Sequence, residues 1–352
     1  MFPNLSPHLP VVQVILPLIA APICVIFRRA GFAWLIALIA SWLSLGVSIF
    51  LLEQVISNGP ISYLLGNWPA PWGIEYKVDI LSAFVMLIVT LIGAIVMVFA
   101  PKSVGLEIPE DRTYLFYTMY LLTFAGLLGI TITADAFNLF VFLEISSLSS
   151  YVLISLGAKR NALTAAFRYL ILGTVGATFY IIGVGLMYQM TGTLNISDLA
   201  ERIPDVASTK TILISIGFIT VGIGLKLGLF PLHVWLPNAY AYAPSVVTAF
   251  LAATATKVAV YALLRVYFSI FGVDVFSALP IAEFLLILGL IAILSMSTVA
   301  IYQNNTKRLL AYSSVAQVGY MVIGISMLTI TGLTATILHL FNHAVIKGAL
   351  FL

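Results

Sequence analysis

Long apolar stretches separated by short polar connectors repeat along the whole chain. A helix that crosses the hydrocarbon core of a bilayer needs about 20 mainly apolar residues, and eleven stretches of roughly that length are present. Extended segments that alternate apolar and polar residues are absent from these stretches, which favours a helical bundle over a membrane barrel. The pattern predicts eleven membrane-spanning helices, at residues 9–27, 32–52, 80–100, 113–133, 136–157, 165–190, 211–230, 244–271, 278–302, 309–330 and 332–352.

Two connectors between the predicted spans are long enough to have a structure of their own. Residues 58–79 begin with turn-forming residues and end with alternating Ile74, Tyr76 and Val78, which predicts a small hairpin at the membrane interface. Residues 191–209 form a short polar connector. Neither connector indicates a separate soluble domain.

The composition supports a membrane protein and excludes several other classes. Of the 352 residues, 62% are hydrophobic and 8% are charged, whereas a soluble domain has about 45–50% and about 25%. The composition therefore excludes a soluble enzyme, a nucleic-acid-binding protein and a disordered chain. The net charge of +3 is too small to indicate an acidic partner. Because Cys24 is the single cysteine, an intrachain disulfide is also excluded.

The basic residues between spans predict how the chain crosses the membrane. Connectors after odd-numbered spans contain eight basic residues, and connectors after even-numbered spans contain three. Because basic connectors stay in the cytoplasm, the N-terminus is predicted to lie outside. The last predicted span ends with the chain itself and has no basic or aromatic anchor after it, so we expect the chain to be truncated.

Four ionisable residues fall well inside predicted spans, at Glu144, Lys226, Lys257 and Lys347. Each charge at the centre of a bilayer costs about 2.5–3.5 kcal/mol, so the four together cost on the order of 10–14 kcal/mol before pairing. That sum is comparable with the whole stability of a typical domain. These residues either form buried ion pairs that fix helix packing or mark a pathway for ions or protons, and the sequence favours the pathway.

Glu144 and Lys226 have the most suggestive surroundings. Four serines follow Glu144 within six residues and provide hydroxyl groups to hold water beside its carboxylate. Lys226 lies between Gly224 and Gly228 and shortly before Pro231, which predicts an interrupted helix, the place where transporters bind ions. A lysine buried there can exchange a proton near neutral pH, and an approaching carboxylate favours its charged form. The alternatives are a glutamate capped by its own serines and a lysine that snorkels from a packing helix.

His339, His343 and Lys347 are spaced four residues apart and predict one helical stripe about 12 Å long. Imidazoles relay protons through either ring nitrogen, which makes this stripe a candidate proton relay. The spacing also suits zinc, but the lysine would repel the cation and the last two predicted spans contain no acidic residue. Histidines that are simply buried in the core are the third alternative. Lys257 lies in the eighth span, and Arg265 two turns later is expected to snorkel to the outer interface.

The motifs that carry these residues resemble those of one known superfamily. They are Phe142-Leu143-Glu144, Gly224-Leu225-Lys226-Leu227-Gly228, Pro231-Leu232-His233-Val234-Trp235-Leu236-Pro237, Ala243-Pro244-Ser245, Lys307-Arg308-Leu309-Leu310-Ala311-Tyr312 and His339-Leu340-Phe341-Asn342-His343. Together they resemble the antiporter-like proton-conducting subunits. That superfamily includes the D-type subunit of Mrp-type monovalent cation/proton antiporters and the large membrane-arm subunits of respiratory complex I. Residues 142–157 and 191–195 look most similar to the Mrp D-type branch.

The resemblance implies an all-α polytopic bundle with broken transmembrane helices and two inverted five-helix repeats, with about eleven of fourteen spans present. Residues 1–112 would hold three N-terminal helices and the outer loop, residues 113–271 the first repeat, and residues 278–352 the start of the second. In such proteins a glutamate–lysine pair gates a central lysine. The resemblance therefore implies a proton pathway through Glu144, Lys226, Lys257, His339, His343 and Lys347, supported at the helix break by Gly224, Gly228, Pro231 and His233.

Three functions are consistent with these features. The first is proton movement coupled to Na⁺ or K⁺ exchange, with other membrane subunits of an antiporter complex as partners in a bacterial inner membrane. The second is a proton-pumping membrane subunit of an NADH-quinone oxidoreductase of the complex I type. The third is a structural subunit whose buried charges merely pair. The sequence contains no cysteine cluster and no glycine-rich dinucleotide motif, so we expect no cofactor or metal in this chain.

Overall fold

The computed structural model describes residues 6–352. Helices dominate because a chain surrounded by lipid must satisfy its backbone hydrogen bonds within each segment. This part of the chain contains fourteen α-helices and one two-stranded hairpin. The helices are α1 (Leu9–Phe27), α2 (Ala30–Asn58), α3 (Ile80–Glu107), α4 (Thr113–Ile132), α5 (Ala136–Ser155), α6 (Asn161–Thr191), α7 (Ile196–Val206), α8 (Lys210–Leu227), α9 (Leu236–Tyr242), α10 (Ser245–Leu264), α11 (Gly272–Ser277), α12 (Ile281–Ile301), α13 (Thr306–Ser326) and α14 (Ile330–Phe351).

The predicted all-α membrane bundle is confirmed. Ten helices within residues 6–352 are long and apolar enough to span a membrane, namely α1 to α6, α8, α10, α12 and α13. The eleventh predicted span forms α14 at the expected place, but this helix, which contains two histidines, an asparagine and a lysine, is not among the ten. The division of the chain into an N-terminal part and two repeats remains a prediction.

The predicted hairpin consists of β1 (Ile61–Leu64) and β2 (Glu75–Val78), which pair antiparallel. Two isolated bridges extend this small structure, from Tyr76 to Thr133 and from Asp135 to Asn195. It therefore joins the loop before α3, the turn between α4 and α5, and the start of α7. We call this end of the bundle the hairpin end, and the opposite end, where the connectors after α1, α3, α5 and α12 lie, the basic end.

Pairs of small residues let neighbouring helices approach closely around the centre of the bundle. A Cβ atom added to Gly222 of α8 would lie 2.7 Å from the carbonyl oxygen of Gly176 in α6. A Cβ atom added to Gly126 of α4 would lie 2.6 Å from the backbone nitrogen of Ser146 in α5. Because no larger residue fits at these two positions, they hold α8 against α6 and α5 against α4, which places the polar side chains of α5 and α8 in the interior.

Candidate functional site

Helix α8 ends inside the bundle, where Leu225, Lys226 and Leu227 are all buried, one residue before Gly228. Gly228 adopts a left-handed conformation with φ of 73°, which side chains other than glycine rarely allow. The backbone N–H of Leu229 donates to the carbonyl of Gly224 at 2.9 Å, and the Trp235 indole donates to the carbonyl of Leu225 at 2.8 Å. The chain then continues without regular helix to α9. The break thus leaves the carbonyls of Gly224 and Leu225, next to Lys226, bonded to groups beyond the end of the helix.

Lys226, in the last turn of α8, forms an ion pair with Glu144 of α5. Its ammonium donates to the Glu144 Oε1 at 3.1 Å and to the hydroxyl oxygen of Ser147 at 2.6 Å. The lysine side chain is 5% exposed and the glutamate side chain is 21% exposed. The charged pair is therefore enclosed on the lysine side and partly open on the glutamate side.

A small internal cavity of about 20 Å³ lies beside this pair. Ser146, Ser150 and Tyr169 form part of its wall together with Lys226. A cavity needs at least about 10–15 Å³ to hold one water molecule, and a water there would have several polar partners. Three of the four serines after Glu144 thus line space for water, and one of them, Ser147, also contacts the lysine directly.

Two of the residues expected to support the break lie beyond Gly228. Pro231 is exposed within the non-helical segment, and His233 is buried there. The His233 ring stacks against Phe230 with the ring centroids 5.5 Å apart, and its Nδ1 has no hydrogen-bond partner in the described part of the chain. Neither side chain contacts the Lys226 ammonium through a hydrogen bond.

A second polar cluster joins α10 with α14. The Lys257 ammonium is fully buried and donates to the carbonyl of Ala252 at 2.5 Å. In α14 the Lys347 ammonium donates to the hydroxyl of Ser313 at 2.5 Å. His339 and His343 have nearly parallel rings with centroids 6.1 Å apart, and both ring nitrogens of buried His343 lack a partner within residues 6–352.

Helix α10 separates the two clusters. Ala255, Val258 and Ala259 of α10 face the small cavity at Lys226. With 3.6 residues per turn these residues lie roughly 100–200° around the helix from Lys257. The structure therefore brings together Glu144 with Lys226, and Lys257 with the α14 stripe, on different faces of α10. Within the described residues neither Lys257 nor Lys347 has a carboxylate within 4 Å.

At the hairpin end, Arg265 does not simply snorkel to the interface as the sequence predicts, because it pairs with Asp79 at the start of α3. Its Nε also donates to the Tyr261 hydroxyl at 2.8 Å, which in turn donates to the carbonyl of Thr131 at 2.8 Å. Burial would raise the pKa of the Asp79 carboxyl, but the hydrogen bond and charge of Arg265 hold it below its ordinary value. Asp79, Tyr261 and Arg265 line a cavity of about 390 Å³.

At the basic end, a carboxylate from another helix caps the start of α10. Glu107, the last residue of α3, accepts hydrogen bonds from the Ser245 backbone N–H at 2.9 and 3.2 Å and from the Ser103 hydroxyl at 2.7 Å. The Ser103 oxygen accepts the N–H of Val246 at 3.2 Å. Glu107 and Lys307 also line a cavity of about 470 Å³. The helix that carries Lys257 is thus held at this end by α3.

Sequence reasoning missed the partners at both ends of α10. Asp79 had a local signal, because an aspartate three residues before Ser82 forms a reciprocal capping box at the start of α3. Glu107 had none, since it lies 138 residues away from the Ser245 that it caps. No group of three histidine, cysteine, aspartate or glutamate side chains within residues 6–352 is arranged to hold a metal ion.

Comparisons with known proteins identify relatives of two kinds. A family described as NADH:quinone oxidoreductase/Mrp antiporter, TM, matches residues 133–352. The chain is 41% identical to the N-type subunit of NADH-quinone oxidoreductase from Desulforudis audaxviator, over 99% of this chain and 69% of that protein. It is 32% identical to the D-type subunit of the Na(+)/H(+) antiporter from Alkalihalophilus pseudofirmus, over 98% of this chain and 69% of that protein. A chain of the Mrp complex from Dietzia sp. DQ12-45-1b superposes with a TM-score of 0.88 and 25% identity, covering 99% of this chain and 64% of that chain.

Proposed function

The chain belongs to the NADH:quinone oxidoreductase/Mrp antiporter transmembrane family, and on that basis we propose that it is a proton-conducting subunit of a multi-subunit monovalent cation/proton antiporter. The exchanged cation would be Na⁺ or K⁺, and the partners would be other membrane subunits of the same complex. The protein would lie in a bacterial inner membrane with its N-terminus outside and the basic end in the cytoplasm, as its basic connectors favour.

The observation that carries this proposal is the ion pair between Lys226 and Glu144 at the broken end of α8. A purely packing ion pair does not need an interrupted helix, a neighbouring hydroxyl and room for a water molecule. A proton carrier needs all three, because its ammonium must exchange a partner and reach water while the helix end changes shape. The three features occur together at Lys226.

In the proposed cycle, Lys226 is charged while Glu144 lies 3.1 Å away. Moving the carboxylate away leaves the ammonium buried beside Ser147 and the small cavity, where the charged form is unfavourable and a proton is released to water. Return of the carboxylate favours uptake of the next proton. The pair therefore converts a small movement of α5 against α8 into proton uptake and release.

The second cluster would continue the pathway on the other face of α10. Lys257, His343 and Lys347 hold buried polar groups with few partners, which suits a chain of sites linked by water. Imidazoles whose nitrogens have no fixed partner can accept a proton on one nitrogen and donate from the other. The cavities at the hairpin end and at the basic end would provide the aqueous mouths of this pathway.

The proposal is tested by measuring cation-induced proton movement in everted membrane vesicles that contain the assembled complex. Lys226→Ala is expected to abolish the fluorescence change that Na⁺ or K⁺ produces with a pH-sensitive dye. Lys210→Ala, which removes an exposed lysine at the start of the same helix, is the matched control and should transport normally. Normal exchange by Lys226→Ala at equal membrane levels would contradict the proposal.

A second candidate function is favoured by one observation, the higher identity to an NADH-quinone oxidoreductase subunit than to an antiporter subunit. In that case the same buried groups would move protons when quinone reduction in partner subunits drives them. Vesicles that acidify on addition of NADH but show no response to Na⁺ or K⁺ would support this second function and contradict the first.

A further inference from the structure

A cavity of about 200 Å³ opens at the basic end between α6 and α9. Asn161, Thr164 and Arg168 of α6 line one side, and Asn238 and Tyr242 of α9 line the other. Within residues 6–352, Arg168 has no carboxylate within 4 Å. The cavity is therefore lined by side chains that can donate hydrogen bonds, around one positive charge that forms no ion pair with a carboxylate in the described part of the chain.

The position of Arg168 on α6 sets the depth of this cavity in the membrane. Helix α6 has 31 residues, a length of about 46 Å at 1.5 Å per residue, whereas the hydrocarbon core is about 30 Å thick. Each end of the helix thus extends about 8 Å beyond the core if α6 is centred. Arg168 lies seven residues, or about 10 Å, after Asn161 at the start of α6. Its guanidinium is therefore close to the level where lipid headgroups meet the acyl chains.

The surroundings of Arg168 face outward from the bundle and are apolar. Leu163 is 59% exposed, Phe167 is 61% exposed and Ile171 is 49% exposed on α6. Apolar side chains around a single exposed arginine match a lipid molecule, whose acyl chains need apolar contact and whose phosphate needs a positive charge. Lys159 and Arg160, directly before α6, add positive charge at the same end.

We propose that this cavity binds the phosphate of an anionic phospholipid from the leaflet at the basic end. The Arg168 guanidinium would form a bidentate, charge-assisted hydrogen bond with two phosphate oxygens. The side-chain amides of Asn161 in α6 and Asn238 in α9 would donate further hydrogen bonds to the phosphate. Since α9 is the second half of the span that breaks after Lys226, the bound lipid holds that half-helix to α6. Binding of this lipid does not depend on the transported ion and extends beyond the proposed transport function.

The proposal is tested with the full chain in nanodiscs of phosphatidylcholine, with and without added phosphatidylglycerol. The anionic lipid is expected to raise the unfolding temperature of the wild type by about 3 °C. Arg168→Gln should remove this rise and weaken phosphatidylglycerol binding, measured by native mass spectrometry, by at least about tenfold. Asn238→Ala should reduce both effects, which links the site to α9. The matched control is Arg160→Gln, which removes a positive charge at the same end but outside the cavity wall and should respond like the wild type.

Three outcomes would overturn the proposal. If phosphatidylglycerol stabilises Arg168→Gln as much as the wild type, the arginine does not hold the lipid. If Arg160→Gln loses the stabilisation by phosphatidylglycerol to the same extent as Arg168→Gln, the lipid is attracted by the positive charge of this end in general and not by a specific site. If inorganic phosphate, added to the wild type in phosphatidylcholine nanodiscs, stabilises it as strongly as phosphatidylglycerol does, the cavity binds free phosphate instead of a lipid.

Discussion

Replacing Glu144 by glutamine keeps the shape of the side chain and removes the charge opposite Lys226. Breaking a buried ion pair by removing one partner costs about 3–5 kcal/mol. The lower end of that range applies here, because the Glu144 side chain is 21% exposed to solvent and the Ser147 hydroxyl remains 2.6 Å from the ammonium. A loss of about 3 kcal/mol corresponds to about two orders of magnitude in the equilibrium that charges Lys226. We therefore expect proton exchange to fall about 100-fold.

The assay is cation-induced proton exchange in everted vesicles, with the amount of assembled complex measured by immunoblotting. Glu144→Asp keeps the charge on a shorter side chain and should retain part of the activity. Glu53→Gln removes the charge of an exposed glutamate in α2 and provides a matched control with unchanged exchange. Wild-type rates in Glu144→Gln at normal membrane levels would refute the reasoning, because the pair would then have no influence on transport.

Three further predictions concern the surrounding helices. His343→Ala should slow exchange more than His343→Gln, since glutamine still orders water, and a zinc chelator should leave wild-type exchange unchanged; inhibition that added zinc reverses would indicate a metal site. Glu107→Ala should destabilise the start of α10 by about 1–3 kcal/mol, because charge-assisted hydrogen bonds to the backbone are lost. Thermal unfolding in detergent measures this loss, and an unfolding temperature equal to that of the wild type would contradict the prediction. Gly222→Ala should destabilise the protein by about 1–3 kcal/mol, because the added methyl group overpacks against Gly176. Gly217→Ala adds a methyl group where there is open space and is the control; equal unfolding temperatures of the two variants would contradict the close-packing argument.

The bundle was predictable because its signals are local. A run of about 20 apolar residues predicts a span wherever it occurs, and the turn residues before Ile74 predict the hairpin in the same way. The boundaries differ more, since α2 and α6 extend beyond the apolar runs into polar residues that continue the helix at the interface. The short helix α7 was not predicted, although Ile196, Leu199 and Ile203 recur at helical spacing, because its 11 residues lie within a connector that is polar overall.

The pairing of polar groups was predictable only in part. Glu144 and Lys226 were identifiable because each charge is costly inside an apolar span and needs a partner. Their contact depends on how α5 packs against α8, which the order of residues along the chain does not specify. The same reason explains why Glu107 and Asp79, whose partners lie on α10 and directly after it, were not assigned a role. Lys226 and Lys257 lie on different sides of α10, and this separation can be read only from the packing of α8 and α14 against α10.

The central claim, that Lys226 carries a proton rather than a structural charge, is tested most directly by Lys226→Arg. Arginine can still pair with Glu144, but its guanidinium stays protonated at any accessible pH. We predict that Lys226→Arg assembles at wild-type levels and shows almost no cation-induced proton exchange in everted vesicles. Full assembly with near-normal exchange would contradict the claim, because a permanently charged side chain would then be sufficient at this position.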